Sequence, residues 1–266
     1  MNRVQAHAAT LHGTSGPTIV LAHGIGGNQT HWQPLVDHFS SSARLMTFSI
    51  AGSSGADPAL FSATRHSSLF GFADDLAILC AEMDIQGAVF VGHSLSAVAG
   101  ALASISNPGL FSRMVLVNGS ARYIDDPATD YVGGFSAEQV QDLLRDLTAN
   151  YTTWAAGFGV AVMANPDRPH LAQEFVQSLI SCGPDVAATS LRAAFHGDYR
   201  KYMSKVSVPT LVVQSAGDPA VSPLASRWLS DHIPGGQHAT LRSTGHFPHV
   251  VAPEELIQVI ETFGLR

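Results

Sequence analysis

With 266 residues, 45% of them hydrophobic and only 13% charged, the chain has the apolar content to bury a large core, which excludes a disordered polymer. Its formal net charge of −7, from 14 basic and 21 acidic residues with no basic run, argues against a nucleic-acid binder. No stretch approaches the ~18 consecutive apolar residues of a membrane span, and the opening MNRVQAHAATLHGTSG lacks the apolar run of a signal peptide. The two cysteines, Cys80 and Cys182, form no CxxC pair, so free buried thiols and a reducing, cytoplasmic location are expected.

Short apolar runs alternate with amphipathic stretches of helical length, the pattern of a mainly parallel α/β sheet with crossover helices. TIVLAHG (18–24) predicts a strand ending in glycine, and THWQPLVDHFS (30–40) a helix with Trp32, Leu35, Val36 and Phe39 at helical spacing. RLMTFSI (44–50) predicts the next strand, followed by the turn-rich AGSSGADP. LFGFADDLAILCAEMDI (69–85) predicts a long amphipathic helix on which Asp74 and Asp75 are expected as solvated surface charges. It leads into the buried run AVFVGH (88–93) and, past Ser94, into a helix of small residues. RMVLVNG (113–119), PTLVVQSAG (209–217) and QHATLRS (237–243) continue the strands, and PEELIQVIETFG (253–264) closes as a helix with proline at its start. Between about Tyr123 and Lys205 this rhythm breaks into helical periodicity without a convincing strand. A helical lid, 123–205, is therefore expected over the carboxyl ends of the strands of a core formed by 1–122 and 206–266.

Gly92-His93-Ser94-Leu95-Ser96 lies between a strand and a helix, the context of a nucleophile elbow, in which a sharp turn projects a serine hydroxyl from the sheet edge. The last position departs from Gly-x-Ser-x-Gly, because Ser96 stands there. A serine hydroxyl needs a histidine base, itself oriented by a carboxylate, and in α/β-hydrolases these follow in the order serine, acid, histidine. Asp218 directly follows the strand 209–217, and His246 follows Gly245 in the loop after the next strand. His249 is the alternative base, His93 is expected to point away from the site, and the strand 113–119 ends in Asn118 rather than an acid. The backbone N–H groups of Leu95, at the helix start, and Ile25, after the strand 18–24, are candidates for binding an oxyanion. Gly24-x-Gly26 fails as a dinucleotide motif because Gln29 replaces the third glycine, and the HxxH of His246 and His249 lacks a third metal ligand. No cofactor and no metal are expected.

The chain resembles the α/β-hydrolases that include the bacterial energy-stress regulator RsbQ and the plant strigolactone and karrikin receptors. The resemblance runs nearly its whole length, through HGIGGNQTHW, GHSLSAVAGALAS, LVNGSARYIDD, DYVGGFSAEQVQDLL, NYTTWAAGFG, NPDRPHLAQEF, AAFHGDYR and GHFPH. NPDRP and KVSVPTL are closer to the bacterial branch; Ser96 after Ser94-Leu95 is closer to the plant receptors. The resemblance implies the triad Ser94, Asp218 and His246, with Ile25 and Leu95 at the oxyanion. It also implies a V-shaped four-helix lid, inserted after the sixth strand, over an apolar cavity where Phe135, Trp154, Phe158 and Phe195 match substrate-contacting positions. The family usually carries phenylalanine where this chain has Ile25. Two functions are implied. One is hydrolysis of a small hydrophobic ester or lactone through an acyl-enzyme. The other is signalling, in which the site binds or slowly cleaves a small ligand and the lid engages a partner, in the RsbQ branch a PAS-domain phosphatase. Haloalkane dehalogenation would need aspartate at Ser94, whereas carbon–carbon bond hydrolysis is compatible with the same triad.

Overall fold

Residues 88–93 are buried at every position, as the central strand of a sheet covered on both faces must be. Around that strand, residues 2–265 of this computed structural model form α1 (Arg3–Ala6), β1 (Thr10–His12), β2 (Thr18–Ala22), α2 (Gln33–Phe39), β3 (Arg44–Thr47), α3 (Leu69–Glu82), β4 (Ala88–His93), α4 (Leu95–Ser106) and β5 (Phe111–Val117). Four helices follow, α5 (Ala137–Ala149), α6 (Tyr151–Met163), α7 (Pro169–Cys182) and α8 (Pro184–Phe195). The short α9 (Arg200–Met203) leads to β6 (Thr210–Gly217), α10 (Pro223–His232), β7 (Gln237–Thr244), α11 (Pro248–Val251) and α12 (Pro253–Val259). The sheet order is β1-β3-β2-β4-β5-β6-β7, with β1 antiparallel to β3 and every other pair parallel.

The two-residue period of the strands sorts their side chains between two cores. Val20, Phe90, Met114 and Leu116 join the cluster under α3 and α4, whereas Ile19, Leu21, Val89, Val91 and Val115 pack with Trp32, Leu35, Phe39 and Leu256 under α2 and α12. Close approach explains why α4 is built of small residues. A Cβ at Gly100 would lie 2.0 Å from the Phe90 ring, so the helix sits on the sheet at a distance only glycine allows.

The helices α5–α8 connect β5 to β6, and their apolar faces form a third cluster around Val140, Leu147, Phe175, Leu179 and Leu191. They follow the fifth strand in chain order, not the sixth as expected. Ahead of β1 the chain coils into α1, which Asn2 caps by accepting the Gln5 N–H at 3.2 Å, and it supplies no further strand there among the described residues.

One expectation on α3 needs correcting. Asp74 is exposed, but Asp75 is only 2% exposed. Asp75 shares the inward face of the helix with Phe72 and Leu79, and its carboxylate accepts from His66 Nε2 at 2.9 Å and pairs with Arg65 at 2.6 Å and Arg3 at 3.1 Å. A buried carboxylate is tolerable only with such partners.

Candidate active site

Ser94 sits between β4 and α4 with φ +56° and ψ −120°, a conformation that costs a non-glycine residue on the order of 1–3 kcal/mol. The surroundings hold it there: its N–H donates to the Val117 carbonyl at 2.9 Å. A Cβ at Gly24, across from it, would lie 2.8 Å from the Ser94 Cβ, so the loop after β2 can approach the elbow only without a side chain. Ser96 has a function of its own in the turn. Its hydroxyl donates to the His23 carbonyl at 2.6 Å and ties the first turn of α4 to the end of β2.

The other two residues arrive from the carboxyl ends of β6 and β7. His246 Nε2 is 2.9 Å from Ser94 Oγ, and its Nδ1 is 3.0 and 2.9 Å from the two oxygens of Asp218. The Asp218 side chain is fully buried, and its Oδ1 also accepts the N–H groups of Ala220 at 2.8 Å and Val221 at 3.2 Å. A carboxylate accepts only, so Nδ1 carries the proton and Nε2 is left to accept from the Ser94 hydroxyl.

The competing histidine is elsewhere. His249 is stacked on Trp32, with ring centroids 4.2 Å apart, and neither of its ring nitrogens has a partner among the described residues. Burial, reinforced by the neighbouring His31, holds its pKa well below the usual value. His93 turns away from Ser94, and its Nε2 donates to the His246 carbonyl at 2.7 Å.

Ile25 and Leu95 flank the serine, on the loop after β2 and at the first position of α4. Among the described residues, their N–H groups have no acceptor in the turn and helix bonding around them. His23 shapes this loop, a role that no motif in the sequence assigns. Its Nδ1 donates to the Gly24 carbonyl at 2.8 Å and its Nε2 accepts the Ile50 N–H at 3.2 Å. Burial pushes its pKa down to about 3, so it stays neutral while doing so. Among the described residues, no group of three or more His, Cys, Asp and Glu side chains is placed to hold a metal. No described helix is long and apolar enough to cross a membrane.

A model of the Alpha/beta hydrolase family matches residues 19–259. The chain belongs to the alpha/beta hydrolase family. It is 37% identical over 243 residues to a probable esterase of Oryza sativa subsp. japonica, covering 91% of this chain and 89% of that one. It is 35% identical over 257 residues to "Karrikin insensitive 2 receptor CA" of Petunia hybrida, covering 96% and 94%. Among solved structures, a hydrolase from Oleispira antarctica superposes with a TM-score of 0.95 at 28% identity, covering 98% of this chain and 96% of that one.

In this hydrolase, the aromatic residues matched in the sequence fall into one apolar cluster. Phe135 meets Phe195 edge-on at 5.5 Å, and Trp154 stacks on Phe158 at 4.7 Å. The cluster also contains Tyr123, Val221 and Phe247, and Ile25 packs against both it and the core beneath α4. Tyr123 lies within LVNGSARYIDD, but nothing in that stretch assigns it a place at the site. Its ring stacks on Phe195 at 4.3 Å, and its phenol lies beside Ser94 and Asp218. Burial raises the phenol's pKa, the Asp218 carboxylate adds to the rise, and the Ser94 hydroxyl partly opposes it. NPDRP also acquires a physical meaning: Arg168 donates to the Val251 carbonyl at 2.8 Å and to Asn165 at 2.6 Å, fastening the α6–α7 connection to the end of α11.

Proposed function

We propose that the protein is a serine hydrolase of small, hydrophobic carboxylic esters or lactones. The observation that carries this reading is the unbroken chain Ser94 Oγ–His246 Nε2/Nδ1–Asp218 at the strained elbow. Ser94 Oγ attacks the carbonyl carbon while its proton passes to His246 Nε2. Asp218 holds the ring and stabilises the imidazolium. The N–H groups of Ile25 and Leu95 receive the negative oxygen of the tetrahedral intermediate; one such donor is typically worth ~2.7–4 kcal/mol. Collapse breaks the ester C–O bond, His246 returns the proton to the departing alkoxide, and the acyl group stays on Ser94. For a lactone the alcohol remains tethered to the acyl group. Water, deprotonated by His246, then adds to the acyl carbon and releases the acid and Ser94. Residues 123–205 act as a lid on the core of 1–122 and 206–266, with Phe135, Trp154, Phe158 and Phe195 contacting the substrate. No cofactor takes part, and two free cysteines suit a cytoplasmic setting.

A signalling role is the second reading, favoured by the relatives named as receptors at 35% identity over nearly the whole chain. In it the same site binds or slowly cleaves a small ligand and the lid engages a partner protein. NPDRP and KVSVPTL point to the RsbQ-like branch, whose partner is a PAS-domain phosphatase. A time course with a short-chain p-nitrophenyl ester separates the readings, with Ser94→Ala alongside. Many turnovers absent from the variant support the enzyme. Release that stops near one equivalent supports the ligand sensor. Equal activity in both proteins overturns the triad.

A further inference from the structure

His246 is located by two sets of contacts, and the second lies behind the ring. Its side chain meets Ser94 and Asp218. Its backbone is held separately at both ends. The N–H donates to the Val162 carbonyl in α6 at 2.7 Å. The carbonyl oxygen accepts twice, from His93 Nε2 at 2.7 Å and from Asn118 Nδ2 at 3.0 Å. These donors stand at the carboxyl ends of β4 and β5, neighbouring strands on which His93 pairs with Val117.

Both donors are fixed in turn. Asn118 has φ +48°; its Oδ1 accepts the Ser215 N–H at 2.9 Å, and its Nδ2 also donates to Ser215 Oγ at 3.0 Å. His93 is fully buried, with its ring 4.6 Å from both Phe247 and His249 and 4.8 Å from the His246 ring. A carbonyl oxygen only accepts, so Nε2 of His93 carries the proton. Its Nδ1 has no partner among the described residues. An orphaned buried nitrogen is costly, and a phenylalanine of similar shape would avoid the cost. The imidazole therefore contributes something that packing does not. Burial and the neighbouring histidines His249, His246 and His31 keep it neutral, so no second cation forms beside His246 when that ring takes the serine proton.

We propose that His93 and Asn118 are positioning residues: by donating to the same carbonyl oxygen they set the placement of the His246 ring over Ser94. The proposal rests on His246 being the general base. Shifts of about 1 Å in such a group cost roughly 10²-fold in rate. The residue between Gly92 and Ser94 thus supports the triad from behind, and the amide at the end of β5, where an acid was looked for, supports it from the side.

The test compares His93→Phe, His93→Gln, Asn118→Ala and the double variant His93→Phe/Asn118→Ala in steady-state hydrolysis of p-nitrophenyl acetate. Ser94→Ala and Asp218→Asn serve as references, and melting temperatures show which variants fold. His93→Phe and Asn118→Ala are each expected to lower kcat roughly 10- to 100-fold. KM should stay within about twofold. His93→Gln, which restores a donor, should recover most of the loss. The double variant should lose less than the product of the single losses, because both donors act on one oxygen. The downfield proton resonance of His246 Nδ1–H should shift in His93→Phe, which a purely structural contact would leave in place. A folded His93→Phe or Asn118→Ala with wild-type kcat, or a His93→Gln no better than His93→Phe, overturns the proposal while Ser94→Ala remains inactive. Wild-type activity in Ser94→Ala would instead overturn the reading of the triad itself. If His93→Phe does not fold, Asn118→Ala decides.

Discussion

Two regions of the molecule each bury a histidine against an aspartate at 2.9 Å: His66 with Asp75 beside α3, and His246 with Asp218 at the ends of β6 and β7. Geometry of the pair alone does not separate them. Its surroundings do. Asp75 is also bound by Arg3 and Arg65, and the remaining nitrogen of His66 is committed to the Ser62 backbone. Among the described residues, Asp218 receives only backbone N–H groups besides its histidine, and the remaining nitrogen of His246 faces a serine hydroxyl. The first arrangement closes every bond and ties α1, α3 and the loop at 62–66 together. The second leaves one acceptor aimed at one nucleophile. A histidine–carboxylate pair becomes a candidate for catalysis when its far nitrogen has an exchangeable partner within reach.

Ser94→Ala removes the exchangeable partner and is expected to lower kcat by on the order of 10⁶, read by steady-state hydrolysis of a p-nitrophenyl ester. Asp218→Asn leaves the geometry but favours the wrong tautomer of His246, with an expected loss of about 10⁴ in kcat. Asp75→Asn is the matching change in the other pair. Its activity should stay within about twofold of wild type, while urea unfolding shows a loss of about 3 kcal/mol, the lower end for a broken buried pair because Arg3 and Arg65 remain partly solvated.

Acid should weaken the site side by a different route. Burial pushes the pKa of His23 down to about 3 and that of His31 to about 4, whereas unfolded histidine titrates near 6.5. The unfolded chain therefore binds more protons below pH ~6.5 and stability falls as pH drops from there toward 4, each such histidine adding about 1.4 kcal/mol per pH unit. Urea midpoints measured at pH 7, 6, 5 and 4 check this; a flat profile contradicts it. The smallest effect is expected in the helical insertion. Trp154→Ala should raise KM for larger acyl chains several-fold and leave kcat for the acetyl ester near wild type.

What the sequence made legible follows the range of the interactions. The elbow is readable because a fully buried strand, one serine and a helix of small residues are consecutive, the helix being small where it packs against Phe90. Asp218 and His246 were readable because both stand just past a strand, where side chains reach the carboxyl edge. The burial of Asp75 is not legible in the sequence because its partners Arg3 and Arg65 lie 72 and 10 residues away, and only the fold shows that the inward face of α3 carries a carboxylate. The roles of Tyr123 and His23 are hidden for the same reason: one acts through stacking on Phe195 and the other through Ile50, neither a neighbour in sequence. The strand β1 is three residues long and largely exposed, too short to carry a two-residue period.

Ser94 as the nucleophile is tested by mixing the protein with p-nitrophenyl acetate, quenching in acid within the first turnovers, and mapping the acetyl group by peptide mass spectrometry. Acetylation confined to Ser94, absent from Ser94→Ala and slowed in Asp218→Asn, is the expected result. Hydrolysis that proceeds at the wild-type rate in Ser94→Ala, or an acetyl group carried elsewhere, would contradict it.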